Sequence, residues 1–321
     1  MTKKVSIRPN CVQYPAMKLD HIFDSLAIRA EPFALCEIEG VCRVALKPEA
    51  AVTLHYVLSG SGTITIADRP PIPIEAGSLV LVPALKRHEV RNSGASAAPT
   101  PECRPAELQL RHVLETSDTD RDDGARILAL CAHVTIGLEG ASNVVELIRE
   151  PLVFHRCKET TLNSVVECLL RELSSPTVGS RAMVRALLMQ ATIEMLRYRV
   201  SSGDTALHWM AALRDPILWH ALRLMLDKPG GEHTVQSLAD ASGVSRSVFA
   251  KRFAEAYGSG PMELLRELRM QRAASLLRVS ELPVKRIAEM VGFSSRSAFT
   301  RQFETKTGMS PRDYRKTREE S

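Results

Sequence analysis

The chain has 321 residues, 45% hydrophobic and 25% charged, too long for one small domain and balanced like an ordinary globular protein. A membrane span and a signal peptide are not expected: the apolar run Leu79 to Leu85 stops at Lys86 and Arg87, and Met1 to Arg8 is basic with no apolar core behind it, so a cytoplasmic location is expected. The net charge of +5 is unevenly placed, because Asp215 to Ser321 holds 18 Lys and Arg against 13 Asp and Glu whereas the rest holds 24 of each, the pattern of a phosphate-binding module joined to a neutral one.

In chain order, the segment to about His112 reads as β-structure. Val52 to Leu58 is a strand, Ser59-Gly60-Ser61-Gly62 turns it, and Thr63-Ile64-Thr65-Ile66 alternates with the period of two that puts one face on a core. Pro70, Pro71 and Pro73 break the next stretch, and Gly77 to Pro83 is a second buried strand. Short strands with regular punctuation favour a sandwich or small barrel. Asn92 to Pro105 and Asp118 to Asp123 read as loops. From Ser142 to Val200 the pattern is mostly helical: one helix from about Thr161 with Val165, Val166, Leu169, Leu170 and Leu173 on its face, a break at Pro176 and Gly179, then a long helix with Met183, Leu187, Leu188, Ala191, Met195 and Leu196. These two helices serve either internal packing or a homodimer. Ser201 to Asp204 reads as a linker, and Asp215-Pro216 as the cap and first residue of a helix.

The last third repeats itself. Leu238 to Phe253 and Ile287 to Phe303 are two copies: Gly243 and Gly292 stand 49 apart, while Phe249/Phe299, Gly258/Gly308 and Pro261/Pro311 stand 50 apart. Each copy has a short helix from near Thr234 or Val284, a glycine able to take positive φ, an apolar plug (Val244 or Phe293), a serine cap (Ser245 or Ser295), and a second helix with an inward phenylalanine pair. The outward residues are Arg246, Ser247, Ala250 and Lys251, then Arg296, Ser297, Thr300 and Arg301, arranged to enter a major groove. Met262 to Leu277 is read as one connecting helix whose Arg266, Arg269 and Arg272 form a stripe, either solvated or touching phosphate.

With Gly258-x2-Pro261, Leu268 to Ala274 and Gly308-x2-Pro311-x2-Tyr314-Arg315, this pattern resembles the AraC/XylS family signature over about a hundred residues. The resemblance implies sequence-specific binding of a double-stranded DNA operator, with RNA polymerase as a further partner and an activator role. It places base readout on the eight outward residues, with Lys251 and Arg301 paired to guanine. Arg252, Ser245, Ser295 and Lys306 are candidates for phosphate contact.

His55-Tyr56-Val57-Leu58-Ser59-Gly60, followed by Gly77-x5-Pro83-x4-His88-x3-Asn92, is similar to the cupin barrel that precedes many such domains. Metal cupins carry a His-x-His pair and a glutamate in the first motif, whereas Thr53 and Leu54 precede His55 here, so neither a metal nor another cofactor is expected. An effector pocket near His55, Tyr56, Val82 and His88 is the remaining use of such a domain. An alternative is oxidant sensing through Cys36 and Cys131, set among seven cysteines too irregular for a disulfide framework.

The expected architecture is multidomain α+β. It comprises a cupin-like β-barrel (1–112), a mostly helical middle and possible dimerisation segment (113–205), and an all-α domain (215–318) with two helix-turn-helix units joined by a long helix. No phosphate loop, HExxH or GxSxG motif is present, so an enzyme is not expected. Aromatic content of 5% is poor for stacking on single strands.

Overall fold

The computed structural model describes residues 23–24, 26–39, 43–67, 69–92, 126–138, 144–155, 161–202, 207, 209–210, 213 and 215–317. The loop expected over Asn92 to Pro105 falls, after Asn92, outside the described residues, as do Asp118 to Asp123 and the end of the expected linker, Gly203-Asp204.

Among the described residues, nine strands form two sheets: β1 (Leu26–Glu39), β2 (Arg43–Leu46), β3 (Val52–Ser59), β4 (Ser61–Ile66), β5 (Ile72–Glu75), β6 (Leu79–Val82), β7 (His88–Asn92), β8 (Arg126–Leu138) and β9 (Leu152–Phe154). One sheet runs β1-β8-β3-β6-β9 and the other β2-β7-β4-β5, with every pairing antiparallel. The expected closed barrel is therefore an open pair of sheets among the described residues. The reason lies at Gly60, where φ of +82° turns the chain between β3 and β4 and sends them into different sheets. Pro73 lies on the edge strand β5, where its missing N–H costs nothing.

The expected division at 112 does not separate strands from helices. Arg126 to Leu138, placed in the mostly helical segment, is instead the strand between β1 and β3, and β9 also joins that sheet. Its run Ile127 to Ala132 is apolar on both faces because both are covered. Leu128, Leu130, Ala132 and Val134 share a core with Leu54, Tyr56, Leu79 and Leu81 and with the helices α1 (Thr161–Ser174) and α2 (Ser180–Ser201). On the other face, Ile127, Ala129, Val57, Val80 and Val82 meet Ile64, Ile66, Ile74 and Val90 of the smaller sheet.

Helix α2 packs along β1, where Arg181 and Arg185 bracket Glu31 at 3.2 and 2.5 Å. Leu169, Leu173, Leu188 and Met195 are buried as their spacing predicts, but Met183, expected on the same face, is 50% exposed because the buried face of α2 runs through Val184, Leu188, Ala191 and Met195 and Met183 falls outside it.

The C-terminal part is all helix: α3 (Pro216–Asp227), α4 (Val235–Ala241), α5 (Arg246–Tyr257), α6 (Pro261–Val279), α7 (Val284–Met290), α8 (Arg296–Thr307) and α9 (Pro311–Lys316). Asp215 caps α3 by accepting from the amides of Ile217 and Leu218. Thr234 and Ser237 form a reciprocal capping box on α4, whereas its counterpart α7 begins at Pro283 with no side-chain cap. Phe249, Phe253, Phe299 and Phe303 are fully buried, and α6 turns Leu264, Leu265, Leu268, Ala273, Ala274 and Leu277 into the same core.

Arg269 departs from the expected stripe. Only Arg266 and Arg272 face solvent, whereas Arg269 donates to the carbonyls of Pro229 (2.8 Å), Gly231 (2.9 Å) and Gly292 (3.2 Å). It ties the loop before α4 to the turn of the second unit. Gly292 sits against it at φ +82°, and a Cβ there would meet the guanidinium at 2.7 Å and the carbonyl of Gly230 at 2.9 Å. Losing charge-assisted bonds to three carbonyls is expected to lower stability by about 2–3 kcal/mol in Arg269→Met. Urea unfolding followed by far-UV circular dichroism measures this, and Gly292→Ala should destabilise by a similar route through its strained φ.

Candidate functional site

Each helix-turn-helix ends its second helix in a face aimed at solvent. Ser245 caps α5 by accepting from the Val248 amide and Ser295 caps α8 by accepting from the Ala298 amide, both at 3.4 Å. Past those caps, Arg246, Ser247 and Lys251, and Arg296, Ser297 and Arg301, are exposed, while Ala250 and Thr300 are half-buried beside them. Lys251 stands 4.0 Å from Glu255, but Arg246, Arg296 and Arg301 form no ion pair with any described residue. Three unpaired guanidinium groups on two parallel-purpose faces suit phosphate oxygens and base edges. Val248, which the sequence reading passed over, is 46% exposed at the start of α5. Its apolar side chain gives no sign of that exposure in the sequence.

Two of the expected phosphate contacts make ion pairs within the protein. Arg252 pairs with Asp215, the cap of α3, and the Nζ of Lys306 donates to Glu267 at 2.9 Å. Both carboxylates lie far from their partners in sequence, which is why local pattern did not reveal them. Glu267 also takes a bond from Nε of Arg149 at 2.8 Å, and Arg149 donates to Ser259 Oγ at 2.7 Å. Burial acts to raise the Glu267 carboxyl, but the charges of Lys306 and Arg149 outweigh it and hold it below the usual carboxylate range. A second bridge joins Glu49, in the loop before β3, to Arg278 near the end of α6. These bridges fasten the sheet-bearing part to the helical part.

His55, Tyr56, Val82 and His88 are all buried, 0–5% exposed, but they do not share one pocket: Tyr56 lies in the core beneath the helices, whereas Val82 lies in the core between the sheets and His55 meets His88. His55 Nε2 lies 2.7 Å from His88 Nε2, His55 Nδ1 lies 3.2 Å from Cys131 Sγ, and Cys131 Sγ lies 3.4 Å from Cys36 Sγ. His88 Nδ1 lies 3.2 Å from the Lys86 carbonyl, which only accepts. That contact orders the line. His88 donates from Nδ1, so its Nε2 accepts from His55, and His55 Nδ1 is left to accept from the Cys131 thiol. Burial pushes His55 down to about 4; burial and the His55 charge push His88 down to about 3 against the Lys86 hydrogen bond. Both rings are therefore neutral at pH 7. No group of three or more metal-ligating side chains able to hold an ion occurs among the described residues.

Comparison with known proteins agrees with this division. A family model described as Cupin matches residues 18–201, and one described as Helix-turn-helix domain matches residues 238–317. The chain belongs to the AraC family of transcriptional regulators. It is 26% identical over 305 residues to the HTH-type transcriptional regulator AlkR of Acinetobacter baylyi, covering 92% of this chain and 98% of that one. It is 34% identical over 187 residues to a putative AraC-like transcription regulator of Streptomyces antibioticus, covering 56% and 62%. Among solved structures, the DNA-binding domain of AdpA in complex with a target DNA is 29% identical over 32% of this chain and 91% of that domain, with a TM-score of 0.30. No described helix of this AraC-family chain is long and apolar enough to cross a membrane.

The two buried histidines make stability depend on pH. Their folded pKa values lie below the unfolded value near 6.5, so the unfolded chain takes up two protons that the folded chain refuses. The stabilisation is complete above pH 6.5 and is lost as pH falls towards 4, with a slope of up to about 2.7 kcal/mol per pH unit. Thermal unfolding from pH 7.5 to 4.5 measures it, and His88→Gln should roughly halve the slope.

Proposed function

We propose that this regulator binds a double-stranded operator sequence-specifically through both helix-turn-helix units and that its N-terminal domain controls that binding in response to an effector. The observation that supports it is the pair of exposed faces on α5 and α8, each free of internal ion pairs at its leading arginine. Arg301 and Lys251 occupy equivalent places, and each has the reach to pair with guanine O6 and N7. Arg301 has no carboxylate within ion-pair distance among the described residues, whereas Lys251 has Glu255 beside it. The second unit therefore carries more of the readout.

The expected outcome in gel-shift titrations against the upstream regions of the protein's own and neighbouring genes is a specific complex. Arg301→Ala should weaken it about 10- to 100-fold, the loss expected for one bidentate base contact. Lys251→Ala should weaken it less. Binding of equal strength to unrelated DNA would remove the operator reading.

A second reading is favoured by one distance, the 3.4 Å between Cys36 Sγ and Cys131 Sγ. A hydroperoxide accepts the attack of the Cys131 sulfur, and the thiol proton passes to the leaving peroxide oxygen. The peroxide O–O bond breaks to give a sulfenic acid and an alcohol or water. The Cys36 sulfur then displaces water to form a disulfide. Peroxide treatment followed by thiol counting should show loss of two thiols in the wild type, and neither that loss nor any change in DNA affinity in Cys36→Ala.

A further inference from the structure

The two reading helices share one plan but differ where they meet solvent. The core pins α5 through Phe249, Phe253 and Tyr257, and α8 through Phe299, Phe303 and Thr307, all buried. With roughly 100° between successive residues, the stripe facing away from that core is Val248, Lys251 and Glu255 in α5. In α8 the same stripe is Ala298, Arg301 and Thr305.

Val248 is out of keeping with an exposed helix position. It is 46% exposed on the first turn of α5, three residues after the Ser245 cap. A β-branched residue is a poorer helix former than alanine, and alanine stands at the same place in the second unit. Val248 gains no core packing in exchange, because it lies outside the apolar cluster that takes in its neighbours Val244 and Ala256. The polar groups around it are engaged. Arg252, one turn on, pairs with Asp215, Lys251 has Glu255 beside it, and Ser247 shares a 3.3 Å hydrogen bond with the cap Ser245. Ala250 is half-buried and presents only a methyl group. Arg246 has Arg296 as its counterpart and does not distinguish the units. The first unit therefore offers an apolar leading edge. The second offers the Thr300 hydroxyl and Arg301, which has no ion pair with any described residue.

In the major groove the feature that answers an apolar group is the C5 methyl of thymine, which adenine, guanine and cytosine lack. A recognition helix meets base edges with its N-terminal residues, and Val248 stands one turn nearer that end than Lys251. We propose that Val248 is a specificity-determining residue that reads the methyl group of one thymine in the half-site of the first unit. The two units then read by different chemistries, an apolar contact beside Lys251 in the first and hydrogen bonds from Arg301 in the second. This rests on the operator reading above and deepens it by naming a base and an atom.

The test first selects preferred duplexes from a random pool with the full-length protein. Each thymine of the selected operator is then replaced in turn by deoxyuridine, which removes the methyl group and keeps every hydrogen-bonding group. Affinity is read by fluorescence anisotropy at one fixed salt concentration. The expected result is a loss of about 3- to 5-fold at one thymine, as for one methyl group taken out of an apolar contact. Val248→Ser should bind the thymine operator at least about 3-fold more weakly and be indifferent to uracil at that base. Val248→Ile should keep the discrimination. Arg301→Ala should weaken binding yet still distinguish thymine from uracil there, which assigns the base to the first unit. Circular dichroism and Tm of the free variants establish that each is folded. An operator in which no thymine responds to uracil, or a uracil effect undiminished in Val248→Ser, would overturn the proposal and leave operator binding standing. A pool that yields no preferred sequence would remove the operator reading and this inference with it.

Discussion

Helix α6 is the constraint on which the rest of the molecule depends, because one nineteen-residue element must satisfy three neighbours at once. Its leucines and alanines form the shared core of both helix-turn-helix units, Arg269 holds the preceding loop and the second turn, and Glu267 and Arg278 meet the sheet-bearing part. These demands occupy different sides of the cylinder, which accounts for its mixture of buried apolar, half-buried charged and exposed residues. A change on one side is therefore felt on the others.

Much of the C-terminal half was legible in the sequence because its rules are local. A glycine at positive φ, a serine cap and two phenylalanines at i and i+4 sit within sixteen residues, and each copy repeats them. The strands Val52–Ser59 and Leu79–Val82 were legible for the same reason. β8 was not: its place between β1 and β3 is set by pairing with residues about 70 to 110 positions away, and a strand buried on both faces shows no alternation. The partners of Arg269, Lys306 and Arg252 were not legible, because an arginine or lysine at a helix surface position looks the same in sequence whether it faces solvent or meets a carbonyl or carboxylate 23 to 40 residues away.

The interior line from Cys36 through Cys131 and His55 to His88 shows how a buried polar array remains ordered without an ion. One backbone carbonyl, that of Lys86, sets the direction of every proton along it. The same residue sends its side chain the other way, to the wall of a cavity between the sheet-bearing and helical parts. Leu85, just before it, adopts φ of +61° while fully buried, a conformation that only surrounding packing sustains. The short loop from Pro83 to His88 thus connects the sheet interior with the helical half.

The continuity of α6 has a consequence for the genome as much as for the protein. At 1.5 Å per residue it is a rod of about 28 Å, and both reading helices are bonded to its core rather than to a hinge. With roughly ten base pairs to a helical turn, each inserted pair rotates one half-site by about 36° away from its reader. The rod has no joint among its described residues with which to follow. On the proposed readout by both units, binding sites are defined by their phase as well as by their letters, and a single-base insertion between two intact half-sites erases a site that a sequence scan of either half would still score as whole.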